Sequence, residues 1–239
     1  MSPDTGWRAT CIKMKVHVGT SGYSYSWNLG RSLKWYIEKG FKTVEINFTF
    51  YGFPSNNMIM KWSSVPEKFI FSVKVNRSIS HFSKLKNVDL WERFVNLFAS
   101  MNSKIKFWLI QMPPGYKASD SNIGSVTSFI RAAGDERVVI EFRDKSWWAV
   151  SDRIIDAGAV FCSVDAPGLP DRILNSHGTA YVRLHGRTSW YSYNYSHEEL
   201  DIMASRLMQS NAESAFIYFN NDIGMLENAL YLLNKFNEL

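Results

Sequence analysis

The chain has 239 residues, of which 46% are hydrophobic and 21% charged, so it can bury a sizeable core and is too apolar to be disordered. Lys and Arg outnumber Asp and Glu by 27 to 22, giving a formal net charge of +5. No apolar run approaches the roughly 20 residues that cross a bilayer, and residues 1–15 hold no apolar signal core; these features exclude a membrane span and point to the cytoplasm. Cys11 and Cys162 are too few for a disulfide framework or a zinc site.

Eight short runs enriched in β-branched and aromatic residues follow one another. They are Val16–Gly19, Thr43–Phe48, Phe69–Val75, Phe107–Gln111, Val138–Phe142, Val160–Val164, Ala180–Leu184 and Ala215–Phe219. Their spacing leaves room for a helix between successive strands. Helical periodicity appears from Asp89 through Leu90, Phe94, Leu97, Phe98 and Met101, and more faintly around Ile123 and after Val160. Ser196 to Glu199 has the form of a capping box ahead of Leu200, Met203 and Leu207, and Met225–Phe236 reads as a closing helix. Eight strands alternating with helices predict one α/β domain, a (β/α)8 barrel over residues 15–239, with residues 1–14 as an N-terminal extension. An open doubly wound sheet would carry a glycine-rich phosphate fingerprint after its first strand, and Gly19-Thr-Ser-Gly22 is too short for one.

In such a barrel the C-terminal strand ends carry the chemistry, and here those ends are polar. Strand two supplies Glu45 and Asn47, strand three Lys74, strand four Gln111, and strand five Glu141 and Arg143. Strand six ends in Asp165, strand seven in Arg183 and His185, and strand eight in Tyr218, Asn220, Asn221 and Asp222. Charges gathered at one mouth must pair with one another or bind a ligand, because uncompensated burial is too costly. The bland alternative is a structural salt-bridge network.

These ends fall within longer signatures: Gly19-Thr-Ser-Gly-Tyr-Ser-Tyr, Val44-Glu-Ile-Asn-Phe-Thr-Phe-Tyr51, Phe71-Ser-Val-Lys74, Ser80-His81, Gln111-Met-Pro-Pro114, Glu141-Phe-Arg-Asp-Lys-Ser-Trp147, Tyr181-Val-Arg-Leu-His-Gly186 and Tyr218-Phe-Asn-Asn-Asp222. In this order, from about Val16 to the C-terminus, the chain resembles the DUF72 (YecE-like) family. The resemblance implies a TIM-barrel-like fold and, more distantly, kinship with endonuclease IV-type and sugar-isomerase-type barrels. Asp144 stands where the family usually has His, and Tyr23 where it usually has Trp. Residues 1–14 have no counterpart.

Three chemistries are open to these residues. With five histidines, of which only His81 and His185 lie near strand ends, a multi-zinc centre is not expected; no cofactor is required, although Glu45, Glu141 or Asp165 would suit a single Mg²⁺ or Mn²⁺. Lys74, among apolar neighbours, is a candidate nucleophile for Schiff-base chemistry on an aldehyde, unless an ion pair with Glu45 or Asp165 keeps it protonated. Hydrolysis would use Glu45, Glu141 and Asp165 as base and acid, with His185 or His81 protonating a leaving group and Arg143 and Arg183 clamping an anion.

Charge and aromatics refine the partner. Residues 1–120 hold 17 basic and 7 acidic side chains, against 10 and 15 in residues 121–239. Tyr23, Tyr51, Trp147 and Trp190 follow strands one, two, five and seven, and basic residues flank His81. Cations for phosphates and flat rings for an unstacked base suit nucleic acid. The sequence therefore predicts a hydrolase or lyase acting on an anionic substrate, foremost a damaged or flipped nucleotide, with no membrane or obligate protein partner. Glu45, Lys74, Glu141, Asp165 and His185 are its catalytic candidates. Tyr23, Asn47, Tyr51, His81, Gln111, Arg143, Trp147, Arg183, Tyr218, Asn220, Asn221 and Asp222 are its substrate-binding ones. The alternatives are a sugar-phosphate isomerase or aldolase, and a non-catalytic barrel that binds nucleic acid or another anion.

Overall fold

The computed structural model describes residues 14–238, so the expected extension, Met14 apart, lies outside the described residues. The eight strands are β1 (Lys15–Thr20), β2 (Thr43–Ile46), β3 (Ile70–Lys74), β4 (Ile105–Gln111), β5 (Val138–Glu141), β6 (Val160–Asp165), β7 (Thr179–Leu184) and β8 (Ser214–Phe219). All paired neighbours run parallel, in the order β1-β8-β7-β6-β5-β4-β3-β2, which brings β2 round to β1. This is the expected (β/α)8 barrel. Among the described residues, no helix is long and apolar enough to cross a membrane.

Alternation along the strands sorts the core into two layers. Ile110, Ile140, Phe142, Phe161, Val182 and Ile217 are fully buried hydrophobics of the single apolar core, together with Phe94, Val126, Leu200 and Leu232 of the surrounding helices. Trp91 of the helix Val88–Asn96 meets Trp108 of β4 edge-on at 5.9 Å. The inner layer is aromatic and polar: Phe107 packs edge-on against Tyr181 and Phe216, and His17 stacks on Phe216 at 4.7 Å. His17 is thus a packing residue near the N-terminal end of β1.

The seam between β1 and β2 is closed by unusual means. Among the described residues its only bridge pairs Ser21 with Glu45. Gly19 allows close approach: a Cβ there would lie 2.6 Å from the Thr43 carbonyl oxygen. Tyr36, fully buried on the helix Leu33–Glu38, supplies what the ladder lacks. Its hydroxyl accepts from the Thr20 amide at 2.9 Å and donates to the Thr43 carbonyl at 3.2 Å, linking the two strands through one phenol.

Two expectations change. Phe48 does not extend β2, because the chain turns at Asn47 into the short helix Phe48–Tyr51. After β6 no helix forms; residues 166–178 contain Pro167-Gly-Leu-Pro170, whose prolines cannot continue a helix. The capping box at Ser196 and Glu199 forms as expected, and the region around Ile123 is the helix Asp120–Ala133. Replacing Tyr36 by Phe should lower unfolding stability by about 1–3 kcal/mol, the cost of stranding buried partners. A urea midpoint that falls while the slope holds is the expected result.

Candidate functional site at the barrel mouth

Register fixes which residues face inward. Neighbours in a parallel ladder point the same way, so Val164 follows Arg183, and Tyr218 lies beside Arg183 on its other flank. Arg183 is fully buried and joins three strands. One terminal nitrogen donates to Glu45 Oε1 of β2 at 2.6 Å and to Ser21 Oγ at 3.1 Å, and the other donates to Glu141 Oε2 of β5. Glu45 also accepts from Ser21 Oγ at 2.8 Å and from the Tyr181 hydroxyl at 3.0 Å. Glu141 accepts a second guanidinium, that of Arg143. Two carboxylates and two guanidiniums thus form a charge-neutral lattice that answers the cost of its own burial.

Electrostatics follows from that lattice. Burial pushes the Glu141 carboxyl upward, but Arg143, Arg183 and His185 outweigh it and hold the group well below its usual range. His185, fully buried, is driven down to about 3, chiefly by desolvation, with Arg183 and Arg143 also opposing its charge. Its Nε2 lies 3.4 Å from nitrogens of both arginines and 3.6 Å from Glu141 Oε1, while its buried Nδ1 has no partner among the described residues.

Lys74 stands apart from this lattice. It ends β3, is 7% exposed, and among the described residues its Nζ makes no hydrogen bond or ion pair, so the expected pairing with Glu45 or Asp165 is absent. The ammonium position lies 4.3 Å from the ring centre of Phe50. Burial, seconded by Arg183, lowers the amine to about 7, against the opposing pull of Glu141 and Glu45. Burial thus favours the neutral form of the Lys74 amine far more than in an exposed lysine.

The other predicted residues divide. Gln111 accepts from Arg143 at 3.3 Å, and Asn220, at the end of β8, keeps its side-chain amide unbonded among the described residues. Asn47 donates to the Ser21 carbonyl at 3.2 Å while its buried Oδ1 has no partner among the described residues. Tyr23 and the exposed Tyr51 line one cavity of about 300 Å³ with Ser21, Glu45 and Asn47; Tyr23 accepts from Trp62 Nε1 at 3.1 Å. His81 sits half-buried edge-on to Phe50, and Asp222 is exposed.

Five residues do not take the expected roles. Asp165 is out of phase with Val164, turns to the helical side of β6 and lies 3.4 Å from Arg187; burial raises it to about 6. Trp147 is fully buried, stacks on Phe142 at 3.9 Å and donates to the Tyr116 carbonyl, which makes it packing rather than mouth. Tyr218 bonds Thr43 Oγ1 at 2.7 Å, fully buried inside the barrel. Asn221 clamps the Tyr193 and Ile223 carbonyls and Asn228. Arg183 cannot clamp a ligand, since both its terminal nitrogens are engaged out of solvent reach. Of the carboxylates suited to a divalent ion, Glu45 and Glu141 are engaged by Arg183 and Asp165 faces away; among the described residues no three His, Cys, Asp or Glu gather as ligands.

Tyr181, which holds Glu45, is not among the predicted site residues, although it lies two residues before Arg183 on the same strand face. Phe50 is legible as an aromatic that follows strand two; its contact with Lys74 is not, because its position depends on the helix that follows β2.

A second cavity of the mouth, of about 540 Å³, is lined by Arg143, Lys145, Pro167, Leu169, Trp190 and Tyr191. Arg143 stacks 4.4 Å from the Trp190 ring centre and donates to the Tyr191 hydroxyl at 3.1 Å. The connections that follow the strands carry nine basic and three acidic residues. Those after β1 to β4 hold five basic residues, all exposed, and no acidic one: Arg31, Arg77, Lys84, Lys86 and Lys117. On the same connections Leu29, Phe48, Tyr51, Phe53 and Phe82 are exposed. Five basic residues of the first half thus share an arc of the mouth with exposed aromatics.

Residues 17–239 match the model of the family described as protein of unknown function DUF72. A DUF72 family protein of Thermotoga maritima, TM1631, superposes with a TM-score of 0.84 at 26% identity, over 94% of this chain and 100% of that one. The Enterococcus faecalis DUF72 protein EF0366 does so at 0.79 and 21% identity, over 93% and 95%, and shares the fold. Comparison with curated proteins gave no match.

Replacing Arg183 by Met should cost about 3–5 kcal/mol, because two buried carboxylates lose their partner. Adding Glu45→Gln and Glu141→Gln should recover part of that loss, and denaturant unfolding of both variants checks it. Acid should unfold the protein early. An unfolded chain protonates His185 near its ordinary 6.5, whereas the folded one refuses the proton down to about 3, so stability falls with pH across that range. Glu141, depressed in the fold, adds a further loss below its ordinary 4.5. Thermal midpoints between pH 7 and pH 4 should decline, less steeply in His185→Gln.

Proposed function

The chain belongs to the DUF72 family, and within that fold we propose that it is a lyase in which the Lys74 amine condenses with an aldehyde on a phosphate-bearing substrate. One observation carries this reading: among the described residues Lys74 is a buried amine without an ion pair, at the edge of a lattice that has consumed the neighbouring charges. An amine at about 7 is nucleophilic at neutral pH and, once condensed, becomes an iminium that draws electrons from the adjacent carbon. Hydrolysis by Glu45 and Asp165 is set aside, since one is held by Arg183, Ser21 and Tyr181 and the other faces the helices.

The surrounding groups suit an anionic substrate. Gln111 and Asn220 border the mouth with hydrogen-bonding capacity to spare, and Asn47 brings an unpartnered acceptor. The basic arc after β1 to β4 attracts phosphates over several ångströms, and its exposed rings offer faces for unstacked bases. The substrate class that uses both is single-stranded nucleic acid bearing a ring-opened abasic nucleotide. The reading therefore keeps the nucleic-acid partner and narrows the reaction to lyase chemistry.

Borohydride should trap a covalent adduct on Lys74 when the protein meets a single-stranded oligonucleotide with one abasic site, located by mass spectrometry of the digested protein. Trapping should vanish in Lys74→Ala. Its rate should climb as pH rises through about 7 and then level, because only the neutral amine attacks. An adduct at another residue, or none, rejects the reading.

A further inference from the structure

The segment after β3 contains a second group with no role so far. Ser78–Phe82 forms a single π-helical turn, and Lys84 and Leu85 follow with φ of +47° and +64°, conformations unusual for residues with side chains. Leu85 is buried and Ser80 is fully buried, so this backbone is held in place from beneath. Ser80 Oγ lies 2.9 Å from His81 Nδ1, which orients the imidazole and leaves Nε2 unbonded among the described residues. The ring meets Phe50 edge-on with centres 5.1 Å apart, and Phe50 is the residue beside which Lys74 Nζ lies. One phenyl ring is therefore common to the amine and the imidazole.

Resting on the lyase reading, we infer that His81 is the general base that removes the proton from the carbon next to the Lys74 iminium, and that the substrates are aldehydes bearing a phosphate ester on the β carbon. The step balances without a further reagent. Neutral Lys74 adds to the carbonyl and, with one proton taken from solvent, water leaves, giving the iminium. Nε2 takes the α proton; the C–H electron pair forms the Cα–Cβ double bond, and the Cβ–O bond breaks with its pair on the departing phosphate. Water then hydrolyses the unsaturated iminium, freeing the aldehyde and Lys74, and His81 gives its proton to solvent. His81 suits the role because burial, then the charges of Lys74, Arg143 and Arg77, hold it below its ordinary value, so it is neutral at pH 7. Glu141 and Glu45 are unsuited, since each is committed to Arg183.

Two sources offer this chemistry, a ring-opened abasic nucleotide within a strand and free glyceraldehyde 3-phosphate. Both are tested with wild type, His81→Gln and Ser80→Ala, scoring the borohydride-trapped adduct and the released phosphate product separately. His81→Gln should still form the Lys74 adduct while elimination falls about 10²- to 10⁴-fold, the usual worth of a general base. Ser80→Ala should lower elimination less. Deuterium on the α carbon should slow the wild type, and the pH dependence of elimination should lose one limb in His81→Gln. Elimination unchanged in His81→Gln, with the adduct intact, overturns the role of His81. No wild-type adduct with either substrate overturns the lyase reading itself. Turnover of the oligonucleotide alone, or of the free sugar phosphate alone, supports the inference and names the source.

Discussion

The mouth of this barrel depends on one buried guanidinium. Arg183 reaches from β7 to Glu45 on β2 and Glu141 on β5, so a single side chain braces three separated parts of the ring. A charge in that position is tolerable only because two carboxylates meet it and a second arginine, Arg143, balances the excess. The consequence is chemical as well as mechanical. Groups that look catalytic one at a time become a neutral, mutually paired scaffold, and reactivity passes to whatever the lattice leaves out.

What it leaves out is Lys74. Desolvation lowers this amine because no carboxylate is free to pair with it: Glu45 faces the same interior yet gives both oxygens to Arg183, Ser21 and Tyr181. An ion pair would have held the amine protonated and turned the site into an anion receptor. Saturation of the glutamates and depression of the lysine are two sides of one arrangement. The phenyl ring of Phe50 completes it, with a flat apolar surface on which the amine rests and against whose edge His81 packs.

Charge acquires direction only in three dimensions. The +5 of the whole chain averages a basic first half and an acidic second half. In the barrel, the connections after β1 to β4 present their five basic residues on the face where Lys74 ends its strand, with no acid among them. The same connections expose five large apolar side chains, which a folded monomer ordinarily hides. Attraction for anions and contact with flat groups therefore coincide on one arc.

The eight-strand repeat, the barrel and the polar strand ends were legible in the sequence because strand and helix periodicities are local. The resemblance to a known family was legible for the same reason, as ordered short signatures. Errors arose wherever the outcome depended on phase or partner. Asp165 looks like the other strand-end acids, but a shift of one residue turns it to the helices, and no local pattern marks that shift. Trp147 looks like a rim aromatic until Phe142 and Tyr116 enclose it. The seam closed by Tyr36 joins atoms of two strands through a helix residue that bears no motif. The sequence by itself determined which residues could reach the mouth, since that is set by position along each strand. Only the tertiary structure decided which of them remain free to react, because hydrogen-bonding capacity is finite and is shared out among residues more than a hundred positions apart.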